Sequence, residues 1–370
     1  MTYPDQLEAF WLAEAQRVYG ALSEEELVER LRPRVQRLSD RFTKERQLST
    51  EVYADDLESQ IAYGLFFFPQ TFMRTQFVLE ECWRPSGDAS LRILDLGAGS
   101  GAAGFAALSR LGSRPAHLFA RDHSDVALSS LARLASRCCE RWPNVKVETE
   151  HDNLTRSHAL PAPFDLIICS FALNELVERD ATFDVSAWTR GLVDQLTPGG
   201  TLVILEPALK VTSERLEALR DCAAAEGWAR ILGPCLHHAR CPMLAGGRYW
   251  CHEVRRWTPP PMAEKINRKL FRDLPHLKFS FLALTSGRGV DADPTPSRAR
   301  LVAPMMKERG KVLTRGCAAD GNLHEYELLM RGYSPDEKRE IAETERGARV
   351  KWGALTPLGN GALRASKMKK

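Results

Sequence analysis

Apolar positions in the first eighty or so residues recur with helical spacing. Leu7, Phe10, Trp11, Ala15 and Val18 fall on one face, and Leu27, Leu31, Val35 and Leu38 form a second stripe. Ser23-Glu24-Glu25-Glu26 has the order of a capping box at the start of that second helix. Residues 7–83 therefore read as a helical region. Its aromatic group Phe66, Phe67, Phe68 and Phe72 reads as core packing, because rings that stack on single-stranded bases are normally interleaved with exposed cations. Pro85-Ser86-Gly87-Asp88 reads as a linker.

Beyond it, short apolar runs alternate with helical stripes. Runs at 91–96, 116–120, 145–149, 164–170 and 202–205 predict five strands. Helical segments at 105–111, at 188–196 and after Asp125 (Leu128, Leu131, Leu134) lie between them, and Thr197-Pro198-Gly199-Gly200 predicts the turn into the fifth strand. Alternation at these lengths implies an α/β fold with a parallel, doubly wound sheet. A helix at 213–228 and a strand at Ile231-Leu232 follow, but the last strand is delayed to 277–285. The interruption at 233–275 reads as a cysteine-rich insertion ending in a basic helix at 262–272. Runs at 301–304, 311–314 and 324–329 then predict a small β extension, with Gly316-Cys317 and Asp320-Gly321-Asn322 in its turns. A helix near 335–346 and a basic tail close the chain. The expected division is a helical region at 1–85, an α/β domain at 86–290 and a β-rich basic extension at 291–370.

The 370 residues suffice for two or three domains. A net charge of +3 is too small to establish a nucleic-acid partner, so local clustering has to carry that case. The first residues show neither a basic leader nor a long apolar core, and the run 61–68 is too short to span a bilayer. No membrane partner is expected. Nine cysteines without an export signal fit a reducing compartment, where clustered thiols bind metal more often than they form disulfides; a cytoplasmic location is expected. Composition says nothing about oligomeric state.

The most informative stretch is Ile93-Leu94-Asp95-Leu96-Gly97-Ala98-Gly99-Ser100-Gly101, a strand breaking into a glycine turn that leads to a helix. Glycines let a ligand approach the backbone and permit positive φ, and the amides that open the helix point toward the turn. Two ligands suit it. Gly99-x-Gly101-x-x-Gly104 with Asp122 some twenty residues on is a dinucleotide fingerprint, which would make the chain an NAD-dependent oxidoreductase. Asp95-x-Gly97-x-Gly99-x-Gly101 instead resembles the first motif of class I, Rossmann-like methyltransferases that use S-adenosylmethionine. A carboxylate at Asp95 would repel a pyrophosphate and attract a methionine ammonium, which favours the methyl donor. In such sheets ligands bind outside the carboxyl ends of the strands, where Asp95, Asp122, Asp152 and Ser170 converge. Asp122 is assigned to the ribose hydroxyls and Asp152 to the adenine amino group; the competing reading is that each caps a helix.

Cys235, Cys241 and Cys251 share one proline-flanked, glycine-containing segment. Three soft ligands in an irregular loop suit a metal better than a core. The fourth ligand is His237, His238 or His252 nearby, or Cys317 at a distance. Four thiolates would fit a 4Fe–4S cluster or a structural zinc, and the spacing matches neither the paired zinc pattern nor the ferredoxin run. Cys82, Cys138, Cys139 and Cys222 fall in helical apolar patterns and read as core. Cys169 reads as a small strand residue rather than a nucleophile, since no second cysteine follows the fifth strand. The place after the fourth strand reads Ser170-Phe171-Ala172-Leu173, without the Asn- or Asp-Pro-Pro-aromatic run of enzymes that methylate base amino groups. No catalytic residue is assigned, and Glu175 either orients a substrate or caps a helix.

Together these residues resemble the methyltransferase-like assembly factors of the mitochondrial small ribosomal subunit and their bacterial relatives. The likeness runs through Leu94 to Gly101, Asn174-Glu175-Leu176, Pro198-Gly199-Gly200 with Glu206-Pro207, Cys235 to Cys241-Pro242, Trp250-Cys251-His252, Phe279-Ser280-Phe281, Lys311-Val312-Leu313 to Cys317, and Trp352-Gly353. The resemblance implies a factor that binds small-subunit ribosomal RNA, holds a 4Fe–4S cluster through Cys235, Cys241, Cys251 and Cys317, and keeps a donor-binding fold with or without RNA methyltransferase activity. The gap between Cys241 and Cys251 is wider than in some members. Local charge fits an RNA partner: Arg298, Arg300, Lys307, Arg309, Lys311 and Arg315 are opposed in sequence only by Glu308, and Lys265, Arg268, Lys269, Arg272 and the tail Lys367-Met368-Lys369-Lys370 add to them.

Overall fold

The structure, a computed structural model, describes residues 1–43, 56–85, 87–154, 163–289 and 293–369. Ser86 of the expected linker, Lys370 of the tail and 44–55 of the helical region lie outside the described residues. The chain forms two compact units, one of Met1–Phe183, Gln195–Ile204 and Trp257–Leu277, the other of Asp184–Asp194, Leu205–Arg256 and Lys278–Lys370.

The first unit opens on helices α1 (Asp5–Tyr19), α2 (Glu24–Thr43), α3 (Leu57–Phe66) and α4 (Phe68–Cys82). The predicted stripes are buried through Leu7, Phe10, Trp11 and Ala15 and through Leu27, Leu31, Val35 and Leu38. The capping box forms: the Ser23 amide donates to Glu26 Oε2 at 2.8 Å and the Glu26 amide to Ser23 Oγ at 3.3 Å. Phe66, Phe68 and Phe72 are core residues, and Phe68 meets Trp11 edge-on.

The sheet of this unit comprises β1 (Leu91–Leu96), β2 (Ala116–Asp122), β3 (Val145–His151), β4 (Phe164–Ser170) and the first part of β5 (Leu196–Pro207), in the order β3-β2-β1-β4-β5. β1 runs parallel to β2 and β4, and β2 parallel to β3. Helices α5 (Ala102–Leu108), α6 (Asp125–Arg137) and α7 (Leu173–Arg179) follow β1, β2 and β4. β1 and β4 are buried almost throughout, as strands covered on both faces are. The expected turn at Thr197-Pro198-Gly199-Gly200 is instead part of β5, where Thr197 Oγ1 donates to Asp165 Oδ1 at 2.9 Å and ties the segment to β4.

The second unit contains α8 (Val185–Val193), α9 (Lys210–Glu226), β6 (Ala229–Gly233), the short α10 (Pro242–Gly246) and β7 (Glu253–Arg256). The basic helix α11 (Pro261–Arg268) belongs to the first unit, packed on α2 and α3. It stops short of Arg272 because Asn267 takes over, bonding both the amide and the carbonyl of Arg272 in a turn that leaves Phe271 90% exposed. β8 (His276–Ser286) is the delayed strand, and β6 runs antiparallel to it. Strand order β3-β2-β1-β4-β5 with an antiparallel β6 beside a late β8 is that of a class I, Rossmann-like methyltransferase sheet.

The C-terminal part of the second unit is a sheet of β9 (Arg298–Leu301), β10 (Met306–Glu308), β11 (Lys311–Ala318), β12 (Leu323–Leu329), β13 (Arg349–Trp352), β14 (Leu355–Pro357), β15 (Leu363–Ala365) and β16 (Met368–Lys369), with α12 (Pro335–Ala342) between β12 and β13. Its core gathers Leu301, Val312, Tyr326, Leu328, Val350 and Trp352. Three expectations change. The first strand lies at Arg298–Leu301, and the tail supplies β15 and β16. Gly316 and Cys317 are inside β11 rather than in a turn, because Gly316 is required for space: a Cβ there would come within 2.9 Å of Ala299 Cβ and of the Tyr326 ring. Cys82, Cys138 and Cys169 are buried as expected, whereas Cys139, just past the end of α6, is exposed and Cys222 is half-buried. Among the described residues no helix is long and apolar enough to cross a membrane.

Candidate functional site

In the first unit, β1 delivers Asp95 and then turns at Gly97, Gly99 and Gly101 with φ of 68°, 54° and 94°. The amides of Gly97 and Ala98 both donate to the Arg121 carbonyl, at 2.9 and 3.0 Å, which fastens the turn to the end of β2. A Cβ at Gly97 would sit 2.3 Å from Ala172 Cβ, so that glycine is fixed by packing. A Cβ at Gly99 would meet nothing within 4 Å among the described residues. The open face of the turn is therefore over Gly99, where a ligand would rest on bare backbone.

Asp95 is fully buried. Its Oδ2 accepts the Gly104 amide at 2.8 Å, and Oδ1 has no partner among the described residues. Burial raises its pKa to about 7, with the Asp122 charge adding to the rise and the Gly104 bond opposing it. Asp122 is committed to the turn as well: Oδ2 accepts from the Gly99 amide at 2.8 Å and Oδ1 from the Ser124 amide at 2.9 Å. Oδ1 also faces His123 Nδ1 at 3.3 Å, so the second lone pair of Oδ2 is the one placed to take a hydroxyl. The Asp152 carboxylate accepts from Arg121 Nη1 at 3.1 Å, and its amide donates to the Asp122 carbonyl at 2.9 Å, so the ends of β2 and β3 are linked. Arg121, buried and also paired with Glu150 at 2.6 Å, is a site residue that sequence reading missed. Nothing in Ala120-Arg121-Asp122 marks the middle residue as more than a strand cation. Ser170 ends β4, nearly buried, with its Oγ unpartnered among the described residues. Phe171 follows it in the left-handed region at φ 62°.

In the second unit, Cys235, Cys241, Cys251 and Cys317 all border one cavity, lined also by Glu217, Arg220, His252, Glu253, Ser280 and Phe281. Burial pushes all four thiols up, that of Cys241 to about 12; the Cys235 charge adds to the rise at Cys241, Cys251 and Cys317, and Asp221 and Glu217 add to it at Cys235. Arginines brace the loop. Arg220 donates to the carbonyls of His237 and Ala239, at 2.8 and 2.5 Å. Arg300 donates to the Pro234 carbonyl at 3.2 Å and Glu253 Oε1 at 2.9 Å; Arg346 donates to the carbonyls of Trp250 and His252 at 2.6 and 2.9 Å. The Cys241 amide donates to Asp221 at 2.9 Å.

The histidines differ in use. His237 Nε2 lies 3.4 Å from Cys317 Sγ, His238 Nε2 accepts the Ile231 amide at 3.1 Å, and the His252 ring faces the Trp250 carbonyl at 3.2 Å. Among the described residues no three His, Cys, Asp or Glu side chains converge closely enough to hold a single ion.

The cations read as a phosphate surface are largely engaged. Arg300 is buried against Glu253, while Arg298 faces Asp293, Lys311 pairs with Glu308 and Glu327, and Arg315 pairs with Glu325. Lys265 and Lys269 pair with Glu24 and Glu29 in the first unit. Acids remote in sequence supply these partners, which a linear count of charges overlooks. Lys307 and Arg309, exposed at the β10–β11 turn, have no acidic partner among the described residues.

Fold and turn define a methyltransferase-like protein of class I topology. The chain belongs to the Rsm22 family, described as mitochondrial small ribosomal subunit Rsm22, which it matches over residues 57–353. No curated protein matches it. Similar solved structures include a protein from Listeria monocytogenes assigned as a class I S-adenosylmethionine-dependent methyltransferase, at 15% identity, covering 76% of this chain and 75% of that one with a TM-score of 0.39. Magnesium protoporphyrin IX methyltransferase from Synechocystis with bound S-adenosylmethionine is similar at 12% identity, covering 72% and 99% with a TM-score of 0.35.

Proposed function

We propose that this protein is a small-subunit ribosomal RNA-binding assembly factor that binds S-adenosylmethionine in its first unit and a 4Fe–4S cluster in its second. The observation that carries the nucleoside part is the open backbone over Gly99, flanked by Asp95 and Asp122. Asp95 lies beneath the turn with one oxygen uncommitted, a poor neighbour for a pyrophosphate and a good one for a methionine ammonium. Asp122 and Asp152 are the acids for ribose and adenine. The ribosomal part follows from membership of the Rsm22 family.

Four thiols line one cavity, a donor set that suits a 4Fe–4S cluster or a structural zinc, and the resemblance of the cysteine pattern to that of the family favours the cluster. Cys235, Cys241, Cys251 and Cys317 would hold the cluster, which supplies a four-thiolate cross-link between the loop and β11. The thiol usage fits a reducing compartment, the cytoplasm or the mitochondrial setting of the family description.

A second reading, an active RNA methyltransferase, is favoured by the intact turn and by the uncommitted Ser170 hydroxyl beside it. Calorimetry with S-adenosylmethionine and NAD, paired with iron, sulfide and zinc analysis of anaerobically purified protein, tests the proposal. Donor binding without NAD binding, and iron with sulfide in equal amounts, are expected; NAD binding alone, or zinc alone, would overturn the respective half. Transfer of labelled methyl to assembling small subunits would establish the second reading.

A further inference from the structure

The amino-acid end of the methyl donor carries an ammonium and a carboxylate, and the donor turn offers an acid for the first only. Arg74 of α4 lies over the ring of Phe171, its guanidinium carbon 5.4 Å from the ring centroid. The left-handed backbone at Phe171, φ 62°, is costly for an aromatic residue and marks a place where the surroundings dictate the ring position. Arg74 Nη2 reaches only the neutral Gln70 Oε1 at 3.3 Å, and its Nε is buried with no hydrogen-bond partner among the described residues. No carboxylate among the described residues pairs with it, and burial lowers its pKa to about 10, with Tyr63 opposing. Phe171 precedes Ala172, whose Cβ packs against Gly97, so Arg74 borders the glycine turn.

The buried Arg220 and Arg300, and Arg346, which is half-buried like Arg74, look different. Arg220, Arg300 and Arg346 each donate to backbone carbonyls, and the first two also to an acid. A desolvated guanidinium without such partners is unfavourable and calls for an anion. We propose that Arg74 binds the carboxylate of the donor's methionine moiety, making α4 of the N-terminal helical region part of the donor pocket. The planar guanidinium suits a carboxylate in two-point contact, and Asp95 takes the ammonium, so the zwitterion is matched at both ends. This inference rests on the S-adenosylmethionine reading of the turn.

Calorimetry of the full chain with S-adenosylmethionine and with its decarboxylated form tests it. Wild type should bind the complete donor about tenfold or more tightly than the decarboxylated one. Arg74→Gln should lose about that factor for the complete donor only, with Arg74→Lys intermediate. Equal affinities in wild type, or a loss in Arg74→Gln shared by both ligands, would overturn the role of Arg74 while leaving the donor site standing. If wild type binds neither ligand, the donor reading fails and takes this inference with it. Should Arg74→Gln not fold, the comparison of the two ligands on wild type still decides.

Discussion

Arg300 of β9 and Cys317 of β11 stand opposite one another in the antiparallel ladder. From that register position the guanidinium reaches Glu253 and the carbonyl of Pro234, the residue before Cys235. One rung of the sheet thus sets both the thiol most distant in sequence and the start of the loop that carries the other three.

Arg300 is 2% exposed and Glu253 1%, and without Arg300 the glutamate keeps only part of its neutralisation, from Arg255 at 2.6 Å. Arg300→Ala should destabilise the protein by about 2–3 kcal/mol. Urea unfolding measures this, and a loss below about 1 kcal/mol would show that the pair does not organise the cavity.

Cys317→Ser should remove the iron and sulfide found in anaerobically prepared wild type, whereas Cys139→Ser should leave both unchanged. Cys139 is exposed and plays no part in the cavity. Equal metal content in the two variants would contradict four-thiolate ligation.

Two glycines of the turn should separate folding from binding. Gly97→Ala must displace Ala172, since the added carbon would lie 2.3 Å from its Cβ, and a melting temperature several degrees lower is expected. Gly99→Ala meets no neighbour and costs only the positive φ, about 1–2 kcal/mol, yet should weaken donor binding strongly because its methyl occupies the ligand's face. Thermal melts beside calorimetry check the contrast; unchanged donor affinity in Gly99→Ala would place the ligand elsewhere.

Asp95 gives a pH signature. The folded carboxyl keeps its proton up to about pH 7, the unfolded one only to about 4. Between those values the folded state binds more protons, so this group's contribution to stability falls as pH rises and levels off above 7. Asp95→Asn, which can still accept the Gly104 amide, should be more stable than wild type at pH 8 by a few kcal/mol, with the gain shrinking toward pH 4. Urea midpoints at pH 5 and 8 test it, and parallel pH dependence in both proteins would count against it.

For RNA, Lys307→Ala combined with Arg309→Ala should weaken binding to small-subunit RNA and reduce the salt slope by about two. Arg315→Ala, whose side chain is held by Glu325, should change the slope less. Filter binding across salt concentrations distinguishes them; a larger effect from Arg315 would move the RNA to the other face of the strand.

The strands of the first unit were readable from sequence because β1, β2 and β4 are short, apolar and punctuated by glycine, acid and serine. The thiols were readable because cysteines crowd a loop rich in proline. What escaped depends on partners far along the chain. Arg300 looked like one more surface cation until Glu253 appeared beside it, and Arg121 carried no mark of its bond to Asp152. Gly316 signalled a turn, though the ring of Tyr326 is what demands it. Pairing across the β9–β11–β12 ladder has no local signature, so the strand expected at 311–314 could not be seen to continue through Cys317, nor could the strands of the tail be seen in advance.

Arg346 follows α12 and grips the carbonyls on either side of Cys251, about a hundred residues upstream. A residue made long after the loop thus completes it. During synthesis Arg220 is in place before the thiol-bearing segment appears, but the peptide around Cys251 lacks its clasp until about a hundred further residues have followed.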